Sequence, residues 1–60
     1  MNYSHEISWN EYEQWLDMFV RKSFRTTEEG VNMYIQAIKR REYDGAGNQN
    51  ITGIKVVKLF

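Results

Sequence analysis

The sequence predicts a small single α+β domain: a short N-terminal extended arm, two helices over about 8–24 and 27–41, and a C-terminal strand or hairpin over about 51–60. Three observations carry this reading. Two helix-start signatures, Ser8-x-x-Glu11 and Thr26-x-x-Glu29, each precede apolar residues at helical spacing. The run Ile51 to Phe60 is rich in β-branched residues. Between them lies a stretch of glycine and asparagine, Asp44 to Asn50, that reads as a loop.

The arm precedes Ser8, where Tyr3, His5 and Ile7 alternate with polar residues. In the first helix Ser8 and Glu11 form a capping box, and Ile7 and Tyr12 are spaced to close a hydrophobic staple over it. Trp9, Tyr12, Leu16, Phe19 and Val20 follow as the apolar stripe, with Met18 off it. The alternative is β-α-β with 16–25 as the first strand. From Leu16 onward, Leu16, Met18, Val20 and Phe24 alternate with polar residues, interrupted only by Lys22.

The second helix starts at Thr26 or Thr27, with Glu28 and Glu29 where the helix dipole favours acids. Val31, Tyr34, Ile35 and Ile38 make its buried stripe, and Gly30 in its first turn is either a tolerated residue or a point of close approach. In the final strand Ile54, Val56 and Phe60 occupy one face, Val57 and Leu59 the other. Apolar groups on both faces predict a strand covered on both sides or one that pairs with a second copy of the chain.

Sixty residues hold one domain and bury little surface, so a monomer is marginally stable. There is no cysteine, which rules out disulfides and zinc ribbons or fingers. Packing or association must supply the stability. The chain opens on Met1 without a basic-then-apolar leader or a long apolar run. It therefore predicts a complete small reading frame, cytoplasmic, neither secreted nor membrane-spanning. Net charge is zero, but the first twenty residues contain acids and no Lys or Arg, while all eight bases come later. This balance argues against an acidic mimic of nucleic acid and against a basic coating protein.

Nothing in the chain reads as a catalytic set. His5 is the only histidine, and it has no cysteine or second histidine at ligand spacing, so neither a metal site nor a nucleophilic triad is expected. Glu11/Glu13 and Glu28/Glu29 are close in sequence, but residues this near on a helix do not face one another. Gly45-Ala46-Gly47 lacks the flanking strand and helix of a phosphate loop. The expectation is a protein that is not an enzyme and has no cofactor.

Two binding readings follow. In size and aromatic content the chain resembles the compact regulators and inhibitors that phages and mobile elements encode. Nine aromatic residues are hard to hide in so small a core. Trp15, Met18, Tyr43 and Phe60 are the candidate partner-binding residues, and the expected partner is another protein, with a homodimer through the C-terminal strand. The less favoured reading is nucleic acid, with Lys39, Arg40 and Arg41 as phosphate contacts. Two helices and a glycine-tipped hairpin resemble a winged helix or a Cro-like repressor. Gly30-Val31 with Ile35 and Ile38 would be the turn and recognition helix, and the Asp44 to Asn50 loop the wing. Glu29 and Arg25 depart from that pattern, standing where it needs an apolar and a small residue. Bases at a helix C-terminus are also accounted for by the helix dipole.

Overall fold

The computed structural model describes residues 3–60. It corrects the predicted fold class: among the described residues there is a three-stranded antiparallel sheet and one helix, in the order β1 (His5–Glu13), β2 (Met18–Thr26), α1 (Glu28–Arg40), β3 (Ile51–Lys58). The first helix, expected over 8–24, does not form. The extended arm and most of that helix are instead the hairpin β1–β2. The β-α-β alternative places its first strand close to β2 but has no β1, the strand that everything else pairs with.

The sheet order is β2-β1-β3. β1 and β2 pair without interruption from His5↔Thr26 to Glu13↔Met18. β3 returns from the far end of the chain to pair with the other edge of β1, from Glu11↔Ile51 to His5↔Lys58. The register shifts between Ser8 and Asn10, where Gly53 and Ile54 together face Trp9. Gly53 sits at φ +62, in the left-handed region, and supplies the extra residue of this bulge.

Strand alternation sorts the side chains into two faces. Ile7 and Trp9 of β1, Phe24 of β2, and Ile51 and Ile54 of β3 point to the same side, and α1 packs over them along β1 and β3. Ile7, Trp9, Ile38 and Ile51 are buried and form the core, with Phe24, Ile35 and Ile54 packed around it. Fully burying a side chain of this size contributes about 1.5–3 kcal/mol. Trp9 meets Phe24 edge to face at 5.6 Å, and Phe24 meets Tyr34 of the helix at 4.7 Å. The other face of the sheet has no covering element among the described residues, and there β3 presents Thr52, Lys55 and Val57, so the strand is covered on one face only.

The helix expected over 27–41 lies at Glu28–Arg40. Thr27 is its N-cap, with the Gly30 N–H donating to Thr27 Oγ1. Thr26 is instead the buried last residue of β2, so Thr26-x-x-Glu29 is not a capping box. Gly30 is a point of close approach. A Cβ there would lie 2.4 Å from Thr26 Oγ1. Helix propensity alone favours Gly30→Ala by up to about 1 kcal/mol. The overlap reverses the sign, because overpacking a closed site costs roughly 1–3 kcal/mol. Gly30→Ala is expected to lower stability in urea unfolding by about 1 kcal/mol, and Thr26→Ala in the same chain to recover part of it. A more stable Gly30→Ala protein would show that the contact yields freely.

Candidate functional site

The hairpin turn holds the largest sequence cluster of exposed apolar side chains among the described residues. Between Glu13 and Met18 the chain makes two successive turns, with the Leu16 N–H donating to the Glu13 carbonyl at 3.1 Å and the Asp17 N–H to the Gln14 carbonyl at 3.2 Å. Asp17 closes the turn at φ +52, a conformation that aspartate tolerates better than most residues. The Tyr12 hydroxyl donates to Asp17 Oδ1. That bond, with burial and the Asp17 charge adding to it, holds the phenol pKa above its ordinary 10.0. Tyr12 also stacks edge to face with Phe19 at 5.6 Å. The turn is thus braced by two backbone bonds, one side-chain bond and one ring pair. It presents Trp15 at 80% exposure, with Leu16, Met18 and Phe19 exposed beside it.

Behind this tip an open cleft of about 770 Å³ lies between the hairpin and the chain from Arg41 to Asn50. The far wall is ordered. Asp44 Oδ1 accepts the N–H groups of Ala46 and Asn48 at 2.8 and 2.9 Å, and Tyr43 bridges to Gln49. The Asn48 amide, followed by that of Ala46, outweighs the cost of burial and holds the Asp44 carboxyl below its ordinary pKa. The stretch read as a wing is therefore a closed turn laid against β1, with the Tyr12 N–H donating to the Asn50 carbonyl at 2.8 Å.

Glu11 links the hairpin, the helix end and the core. It accepts the Trp9 indole N–H at 2.9 Å and lies 3.2 Å from Arg41 and 3.6 Å from Lys22. Burial raises its pKa, but the Trp9 hydrogen bond and the charges of Arg41 and Lys22 together outweigh burial, and the carboxyl ends below its ordinary 4.5.

The four predicted partner-binding residues do not form one surface. Trp15 and Met18 share the hairpin tip. Tyr43 is exposed on the adjoining Arg41–Asn50 segment, at the same end of the sheet. Phe60, 82% exposed, lies past β3 at the other end, where the Leu59 N–H donates to the Ser4 carbonyl. Nine residues of β1 separate the ends, roughly 26 Å at the usual rise. Leu16 and Phe19, assigned to a buried helical stripe, are part of the exposed tip.

The basic cluster is divided. Lys39 and Arg40 are exposed in the last helical turn, while Arg41 caps the helix and is paired with Glu11. With a single helix among the described residues, the helix-turn-helix outline does not form. His5 is half-buried at the start of β1 and bonds to Ser4 Oγ at 2.7 Å. Among the described residues no group of three or more His, Cys, Asp or Glu is placed to hold a metal ion. No described helix is long and apolar enough to cross a membrane. Comparison with protein-family models, curated proteins and solved structures finds no match to the chain.

Because the folded pKa of Glu11 lies below its unfolded one, its stabilisation is complete above pH 4.5 and is lost as pH falls through the folded value. Glu11→Gln is expected to cost about 1 kcal/mol at pH 7 and to flatten the loss of stability on acidification. Urea midpoints measured from pH 7 to 3 check this. Parallel pH curves for the two proteins would remove Glu11 from the account.

Proposed function

We propose that the protein is a non-enzymatic binding protein that inserts the β1–β2 tip into an apolar pocket of another protein, as a small regulator or inhibitor would. One observation carries the reading: Trp15 stands 80% exposed at the end of a braced turn. A side chain of this size left in water gains nothing for the fold, whereas tryptophan is among the residues most often dominant in interfaces. The bracing supports the same reading, because a loop already fixed loses little entropy on docking. Leu16, Met18 and Phe19 widen the apolar contact, and Tyr43 is exposed on the segment at the same end of the sheet.

Among the described residues no strand pairs with the outer edge of β3, which supports the homodimeric form of the proposal, in which a second copy adds there. β1 already completes the sheet of a single chain, so this association is additional to folding. Sedimentation equilibrium at high micromolar concentration is expected to show dimer. Monomer alone would end the dimer proposal and leave the Trp15 proposal standing.

Trp15→Ser is expected to leave the urea midpoint nearly unchanged, since surface substitutions cost within about 0.5 kcal/mol. The same substitution is expected to weaken partner capture about 30-fold, the loss that corresponds to an interface anchor of about 2 kcal/mol. Immobilised wild-type and Trp15→Ser proteins, exposed to an extract of the native host and compared by mass spectrometry, read this out. Equal capture by both would overturn the tip as the docking element, and unfolding of the variant would place Trp15 in the core.

A further inference from the structure

We propose that the uncovered face of the sheet, centred on Arg21, binds single-stranded nucleic acid. The proposal is independent of Trp15 and of the basic residues at the helix end, and it shares only Phe19 with the hairpin tip.

Strand pairing sends Arg21 and Arg25 of β2 and Lys55 of β3 to the face opposite α1, where Glu6 is the one acid among the strand residues. Glu6 lies 3.9 Å from Arg25. Among the described residues no carboxylate lies within ion-pair distance of Arg21 or Lys55. Asp17 of the turn adjoins the face at Tyr12, so the acids lie toward its two ends, and the charge of Arg21 and Lys55 is uncompensated although the chain as a whole is neutral.

Arg21 is also held in place. Its guanidinium reaches across the sheet, donating to Ser8 Oγ at 2.7 Å, to Asn10 Oδ1 at 3.4 Å and to the Gly53 carbonyl at 3.3 Å. All three acceptors are neutral. They occupy three of five N–H groups and leave the charge and two donors for an anion. The bulge makes the room. A Cβ on Gly53 would lie 2.9 Å from Asn10 Nδ2 and 3.6 Å from an Arg21 terminal nitrogen. Glycine in the left-handed conformation is what allows Asn10 and Arg21 to lie there.

The same face carries Tyr12 and the exposed ring of Phe19. Cations that track a phosphate backbone, beside aromatic rings on which bases stack, are the two parts of a single-strand site. A duplex hides its base faces and cannot use the rings. An acidic peptide cannot use them as a stacking surface either, so the combination favours a single strand.

The test is fluorescence anisotropy with a labelled oligothymidylate of about twenty nucleotides, long enough to cross the face. At low salt it is expected to bind, with log K falling against log salt by about 0.7 for each phosphate contact, a slope near −2 for three cations. Arg21→Gln and Lys55→Gln are each expected to weaken binding several-fold, and Phe19→Leu about tenfold. Lys39→Gln with Arg40→Gln is expected to leave it unchanged. Circular dichroism and urea midpoints accompany each variant. If Arg21→Gln does not fold, Lys55→Gln and Phe19→Leu decide. The proposal is overturned by any of four results: no binding at low salt, equal or tighter binding of duplex DNA or polyglutamate, insensitivity to the face variants, or a loss confined to the Lys39 and Arg40 variant.

Discussion

β1 hydrogen-bonds along both of its edges, and every other element takes its position from that. β2 follows it through a short turn, and β3 returns from beyond the helix to close its second edge. Ile7 and Trp9, in the middle of β1, are the buried residues that Phe24, Ile38 and Ile51 pack around. A strand paired on both sides satisfies its backbone groups along both edges, interrupted here only by the bulge at Trp9. The apolar core is small, so this backbone pairing provides a large part of the order.

The constraint that follows is coverage. One helix of thirteen residues can shield only one face of a three-stranded sheet, and it packs on β1 and β3. The other face and the hairpin tip are left to water. Each has met this differently. The face carries arginine, lysine, serine and threonine, tied across the strands by Arg21. The tip carries tryptophan, leucine, methionine and phenylalanine. The first leaves charge and hydrogen-bonding groups open to solvent, whereas the second leaves large apolar groups with no shelter inside the chain.

The helix was legible in the sequence because several signals agree there. Acids stand at the front, bases at the back, Thr27 caps it, and the stripe through Ile35 and Ile38 reaches the core. β3 was legible from its β-branched run. β1 was not. Ser8 and Glu11 look like a capping box, yet Ser8 accepts from Arg21 and Glu11 accepts from Trp9, bonds that only the folded sheet provides. Trp9, Tyr12 and Leu16 fall at helical spacing by coincidence. In the strand Trp9 points to the core and Tyr12 to the open face, while Leu16 is in the turn. The turn itself has no glycine, proline or asparagine to announce it, and its left-handed residue is Asp17. Tertiary pairing outweighed the local signals, as it often does where a segment has no strong propensity of its own. Trp15, a candidate partner-binding residue expected on a helix, is exposed at a hairpin tip instead, where it has nothing to border.

The bond from the Leu59 N–H to the Ser4 carbonyl brings the first and last described strands together at one end of the sheet, with the hairpin tip at the other. The chain enters and leaves the fold on the same side. A tether, a label or a neighbouring segment attached at either end therefore hangs away from Trp15. The molecule is laid out like a short-handled tool, gripped where the chain comes and goes and presenting its apolar point at the opposite end.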